Sequence, residues 1–167
     1  MKFKLVPTAP DSLDFVADAQ RAVPLVPGTE DDCCARLMRR LDLPSRDVAR
    51  TWLTFLRALE LAEETPSGFK RLRTEPTADH LRDAIQRRVY GAENVLAALE
   101  DATEHGDSLT ADAAFEAFKE RVPVWEHYKN PGEWERVWAE RVGDILEWLV
   151  LVNLAEETEN GYVVADD

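Results

Sequence analysis

The 167-residue chain has little lysine, cysteine, glycine or histidine and no long apolar run. No uninterrupted apolar stretch is longer than Trp148 to Val152, far short of the roughly 18 residues that read as a membrane span, so no membrane partner is expected. The opening residues, Met1-Lys2-Phe3-Lys4-Leu5-Val6, meet Pro7 and Pro10 before any signal-peptide core can form, and the expected location is cytoplasmic. The two cysteines are neighbours, Cys33 and Cys34. Adjacent helical residues project about 100° apart, so the pair suits neither an ordinary disulfide nor a metal site and reads as small packing residues. His80, His105 and His127 are dispersed without ligand spacing, and there is no Gly-rich phosphate loop, Gly-x-Ser-x-Gly or Cys-x-x-Cys. The acidic doublets Glu63-Glu64 and Glu156-Glu157 would point to opposite faces of a strand, a poor arrangement for acid–base work. Neither enzyme activity, nor a metal, nor a cofactor is expected.

What is present is acid. Thirty-three Asp and Glu against twenty Lys and Arg give a net charge of −13. Only five of the basic residues are Lys (2, 4, 70, 119 and 129); the rest are Arg. High acid with scarce lysine resembles the composition of salt-in halophile proteins. At molar salt the Debye length falls to about 3 Å, so a negative total does not exclude nucleic-acid binding. The charge is also uneven: residues 1–73 carry a net +1 and residues 74–167 a net −14.

The chain repeats itself faintly. Leu61-Ala62-Glu63-Glu64-Thr65-Pro66-Ser67-Gly68-Phe69 returns 93 residues later as Leu154-Ala155-Glu156-Glu157-Thr158-Glu159-Asn160-Gly161-Tyr162. Each copy follows an apolar helical run and ends in a Gly turn and an aromatic residue. Around the first copy the spacing predicts a short edge strand at Phe3–Val6, a helix over 11–22, and a helix capped by Thr29 that runs to Leu41. Asp42-Leu43-Pro44-Ser45 breaks that helix, and Ser45 caps the next, Arg46 to Leu61, with Val48, Trp52, Phe55, Leu56 and Leu59 forming an apolar stripe. A hairpin over 62–72 follows. Glu75-Pro76-Thr77 opens a linker. Helices are expected at 78–90, at 92–102, from a Thr110 cap through Val122, and from an Asn130 cap with Pro131 at its first position to Leu154, before a second hairpin closing on Asn160-Gly161.

Helix, tight turn, helix and hairpin resemble the winged helix-turn-helix family. The likeness is carried by Arg36 to Arg50, by Phe55-Leu56-Arg57-Ala58-Leu59-Glu60-Leu61 and by the hairpin after them. It implies a mainly α (α+β) fold with tandem winged-helix domains and short β-hairpin wings: domain 1 over 1–73, a helical linker over 74–91 and domain 2 over 92–167. It also implies double-stranded DNA as partner, with the second helix in the major groove and the wing on phosphate or minor groove. Opposite the apolar stripe lie Arg46, Arg50, Thr54 and Arg57, and the wing adds Lys70, Arg71 and Arg73. Arginine suits guanine edges and phosphates because its fork donates two parallel hydrogen bonds. These seven residues form the expected DNA-binding set.

In the second copy the four helix positions become Ala139, Gly143, Glu147 and Val150, and Lys70 and Arg71 become Val163 and Val164. This copy keeps the scaffold and lacks the anion-binding face. Its aromatic enrichment gives an expected packing or homodimer interface at Trp134, Trp138, Trp148 and Val150; burial within the chain is the alternative. Ser67 to Pro76 is also similar to the wing exit of segregation-and-condensation protein B, a family of non-enzymatic, dimeric tandem winged-helix proteins. That likeness implies the competing reading, a protein-interaction adaptor such as a chromosome-condensation accessory, with a protein partner and no DNA contact.

Overall fold

The computed structural model describes residues 2–129 and 131–166. In chain order the elements are α1 (Leu13–Ala22), α2 (Glu30–Leu41), α3 (Arg46–Ala58), β1 (Ala62–Thr65), β2 (Gly68–Arg71), α4 (Ala78–Arg88), α5 (Ala92–Glu104), α6 (Ala111–Phe118), α7 (Val124–Lys129), α8 (Trp134–Leu151), β3 (Ala155–Thr158) and β4 (Gly161–Val164). A single 3₁₀ turn over Lys119–Arg121 joins α6 to α7. The chain divides into two compact units, with the boundary between Val89 and Tyr90.

In the first unit, side-chain caps start the two central helices. Thr29 Oγ1 accepts from the Asp32 amide at 3.1 Å, and Ser45 Oγ accepts from the Val48 amide at 3.2 Å. Each bond satisfies one of the amides that a helix start leaves without an intrahelical partner. Asp42, in the left-handed region at φ 54°, ends α2, so four residues separate it from α3. The apolar stripe of α3 buries Trp52, Leu53, Phe55 and Leu56 in a core shared with Leu37 of α2 and the following Leu59 and Leu61. The hairpin pairs Ala62 with Arg71 and Thr65 with Gly68. The loop before α2 joins it as a partial third strand: Gly28 and Phe69 exchange both backbone hydrogen bonds (2.9 and 2.8 Å), and the Arg71 amide donates to the Pro24 carbonyl at 2.7 Å.

Two expectations for this unit change. Phe3–Val6 is not a strand; Phe3 alone forms a parallel bridge with Val89. And α4, expected within a linker, belongs to the first unit. Its His80 ring nitrogen lies 2.7 Å from the Leu59 carbonyl, and Arg87 and Arg88 both bond the Glu60 carboxylate. The core of the first helix pair extends to α4 through Leu81, Ala84 and Ile85, all buried.

The second unit rebuilds the same plan. The register of β3 with β4 repeats that of β1 with β2, Ala155 to Val164 and Thr158 to Gly161. Leu109 takes the place of Gly28 and exchanges two 2.8 Å bonds with Tyr162. Thr110 caps α6 as Thr29 caps α2, accepting from Ala113 at 3.0 Å. The offset between copies is therefore 81 at the caps and 93 at the hairpins, so the second copy carries twelve more residues between cap and hairpin. The expected helices over 110–122 and 131–154 are corrected accordingly. The first ends at Phe118 and passes through the 3₁₀ turn to Pro123; α7 intervenes; α8 begins only at Trp134, because Gly132 sits at φ 81° and cannot continue a right-handed helix. Asn130, the expected cap, lies outside the described residues.

Candidate nucleic-acid interface

The seven expected DNA-binding residues fall into three groups. Arg46 and Arg50 are exposed on the opening turns of α3, and both reach back to the acidic first turn of α2. Arg46 pairs with Asp31, and Arg50 pairs with Glu30 at 2.9 Å and with Asp47 at 3.8 Å. Thr54 is half-buried one turn further on. Arg57 is the least accessible of these helix arginines, its side chain 24% exposed. It pairs with Glu64 at 3.6 Å, and its guanidinium stands 5.5 Å from the Phe3 ring and 6.0 Å from the Phe69 ring. That packing makes it a fastener between helix, wing and N-terminal segment.

The wing splits the remaining three. Successive strand residues point to opposite faces. Lys70 pairs with its cross-strand neighbour Glu63 at 3.2 Å. Arg71 faces the other way, toward Arg36 and Arg40 of α2, Arg21 of α1 and Arg73 beyond the strand. Burial, then repulsion by those four cations, pulls the Arg71 guanidinium below its ordinary pKa. Arg21, Arg36 and Arg40 are not among the residues expected from the sequence. Their signal, basic residues in the later turns of α1 and α2, was legible, but their convergence on a strand residue was not.

The corresponding face of the second unit carries no cation. Ala139, Gly143 and Val150 are half-buried. Glu147 accepts from the Tyr162 hydroxyl, whose pKa burial and this carboxylate drive upward. The expected interface set is corrected in part. Trp138 is 2% exposed and Trp148 1% exposed, so both are core residues. The stripe Trp138, Val142, Ile145, Leu146 and Leu149 recurs at helical spacing and faces inward, where Trp138 stacks on Phe118 with centroids 5.8 Å apart. Trp134 is half-buried on His127, with centroids 3.8 Å apart, and Val150 is also half-buried.

Cys33 and Cys34 are buried free thiols, and burial raises both pKa values. Among the described residues no group of three or more His, Cys, Asp or Glu is placed to hold a metal ion, and no helix is long and apolar enough to cross a membrane.

Three helices with a four-residue turn before the third, closed by a hairpin to which the loop before α2 adds a bridge, make the first unit a winged helix-turn-helix, with α4 packed on it as an addition. The second unit is a variant of it with an enlarged connection. The chain belongs to the family described as the Halobacterial double winged helix domain, which it matches over residues 1–167. No curated protein and no solved structure matches it. The likeness of Ser67–Pro76 to segregation-and-condensation protein B gains no support from these comparisons.

Proposed function

We propose that this chain is a non-enzymatic DNA-binding protein of the transcription-regulator type, acting in the cytoplasm, whose first unit lays α3 and the wing on duplex DNA. The observation that carries this reading is the position of Arg46 and Arg50. They stand one turn apart on the exposed start of α3, where helix-turn-helix proteins present side chains to base edges, and the second unit has Ala139 and Gly143 in their places. Their acidic partners are displaceable, since exposed ion pairs are worth only about 0–1 kcal/mol. Thr54 lies one turn further along α3, and Arg57 holds the wing to the helix. The halobacterial family and the acidic composition support a high-salt setting, in which each phosphate contact contributes less and base-edge contacts matter more.

Fluorescence anisotropy of a labelled mixed-sequence duplex, titrated over a KCl series with wild type and Arg46→Ala/Arg50→Ala, tests the reading. A loss of tenfold or more in the variant is expected; equal affinities refute the assignment. The second unit serves packing or homodimerisation in this proposal. Light scattering should then give twice the 18.9 kDa chain mass, and a monomeric mass removes the dimer.

One observation favours the adaptor reading instead. In the inserted α7, Val124, Trp125 and Tyr128 are all exposed large apolar side chains, a composition typical of protein-binding surface. Absence of duplex binding at every salt concentration would select that reading.

A further inference from the structure

The loop between α1 and α2 turns apolar side chains into water at a place the fold makes rigid. Residues 24–28 read Pro-Leu-Val-Pro-Gly. Pro24 and Pro27 fix their own φ. The Arg71 amide on the Pro24 carbonyl (2.7 Å) and the double bridge of Gly28 with Phe69 (2.9 and 2.8 Å) tie both ends of the loop to β2. Between these ties Leu25 is 45% and Val26 72% exposed. Among the described residues no hydrogen bond reaches the backbone of either. Beside the loop runs the face of α2 opposite its buried Cys34 and Leu37, where Asp32, Ala35, Arg36 and Arg39 lie at i, i+3, i+4 and i+7. Loop and helix flank a groove of about 380 Å³, with Pro24, Val26 and Pro27 on the loop side and Ala35, Arg36 and Arg39 on the helix side. Asp32 lies at the end of the groove nearest the start of α2.

The two sides ask for different chemistry. Arg36 Nε donates to the Ala22 carbonyl at 2.7 Å, which holds this side chain in place. Among the described residues neither Arg36 nor Arg39 has an ion pair, in a chain with 33 acidic residues whose Arg46, Arg50 and Arg57 each have one. A partner that satisfies the helix side therefore brings carboxylates. A partner that satisfies the loop side brings apolar surface, because exposed apolar groups rimmed by charge are the mark of a protein contact. A phosphate would leave Leu25 and Val26 in water. An extended chain can do both. Its alternate side chains stand about 6.6 Å apart on one face, close to the roughly 5–6 Å between helix positions one turn apart, and the side chain between them points the other way.

We infer that this groove docks an extended acidic segment of another protein, in which Asp or Glu alternates with large apolar residues. Carboxylates at alternate positions meet Arg36 and Arg39, and the apolar side chain between them rests on Pro24, Val26 and Pro27. The groove contains no residue of α3 or of the hairpin, so this surface is separate from the duplex reading and does not depend on it. The pinned loop loses little freedom when the segment arrives, which favours binding.

The test uses the full chain and a short labelled peptide in which Glu and Leu alternate. Binding is followed at about 1 M KCl, where a Debye length of about 3 Å removes long-range attraction. Fluorescence anisotropy gives the affinity, and NMR of the Leu25 and Val26 methyls and the Arg39 Nε–H gives the location. Shifts at these groups are expected in wild type. Val26→Ser and Arg39→Glu alter exposed side chains, and circular dichroism checks that each variant folds. Each is expected to weaken the peptide by about tenfold and to leave duplex affinity unchanged. A peptide with Lys in place of Glu should bind Arg39→Glu more tightly than it binds wild type, which a merely structural role for Arg39 would not produce. The inference is overturned by absence of shifts at Leu25 and Val26, by equal binding of a peptide with Ser in place of Leu, or by variants that bind as wild type does. Weaker duplex binding by Arg39→Glu with no peptide shift assigns the face to nucleic acid and overturns it too. A wild type that takes the peptide but no duplex removes the α3 reading and leaves this surface standing.

Discussion

Glu60 shows how one side chain joins local strain to tertiary contact. It follows α3 in the left-handed region at φ 59°, as Asn153 does at φ 64° after α8. Its carboxylate accepts from Arg87 and, at 3.2 Å, from Arg88. The Arg87 hydrogen bond, ahead of the opposing effect of burial, holds its pKa below the ordinary 4.5. A carboxylate depressed in the folded state contributes stability above its unfolded value and loses it as the pH falls through its folded value. Urea midpoints of wild type and Glu60→Gln are therefore expected to differ at pH 7 and to converge as the pH falls well below 4.5. Gly68 gives a sharper case. At φ 130°, an added Cβ would stand 2.3 Å from the Gly28 carbonyl oxygen, so Gly68→Ala combines backbone strain with a clash that the bridge to Gly28 cannot relieve. A loss of about 2 kcal/mol or more is expected in urea denaturation. The turn glycine was legible from Ser67-Gly68; the carbonyl it must clear, at Gly28, was not.

Helix starts are the part of each element that local chemistry decides. Thr29, Ser45 and Thr110 were readable as caps because a hydroxyl followed by a first turn of backbone amides needs no distant partner. Ser45→Ala, which removes the acceptor of the Val48 amide, is expected to destabilise the first unit by about 1 kcal/mol in chemical denaturation. The interior of α8 obeys periodicity less transparently. From Ile145 to Val152 seven of eight residues are apolar, so no face stands out, and which tryptophans are core follows only from packing. Trp138→Ala is expected to cost about 3–5 kcal/mol in the melting of the second unit, as befits a fully enclosed side chain rather than an interface residue. The stretch between α6 and α8 was illegible for a related reason. Pro123 and the left-handed Gly132 each stop a helix, and the short α7 between them lacks a period of its own.

Charge is distributed by unit rather than over the whole chain. Residues 1–89 carry fifteen basic and fourteen acidic groups, a net +1, and residues 90–167 carry five and nineteen, a net −14. Self-repulsion therefore belongs to the second unit, and screening relieves it there. Fragments 1–89 and 90–167 each contain their own buried core. Thermal melts of the two fragments over KCl concentrations from about 0.1 to about 2 M, a range in which the Debye length shrinks from about 10 Å to below 3 Å, should raise the midpoint of the second far more than that of the first. Equal responses would show that specific ion pairs, not net charge, govern the salt dependence.

Properties confined to a few consecutive residues were determined by the sequence alone: the caps at Thr29, Ser45 and Thr110, the four-residue turn at Asp42–Ser45 and the two hairpins. Each depends on backbone hydrogen bonding or on spacing within one element; the duplicated plan and the uneven charge were legible too, because each is a comparison of one stretch of sequence with another. Tertiary structure decided what depends on distant residues meeting. It attached α4 to the first unit through Glu60, turned Lys70 and Arg71 to opposite faces, enclosed Trp138 and Trp148, and paired Arg46 and Arg50 with acids of α2. It also put Arg71 within electrostatic reach of Arg21, Arg36, Arg40 and Arg73, and lined one groove with Arg21, Arg71 and Arg73. Six arginines and lysines that looked like a single surface in the sequence are three groups in the fold, because the direction of a side chain is set by the strand or helix that carries it and its partners by whatever packs beside it.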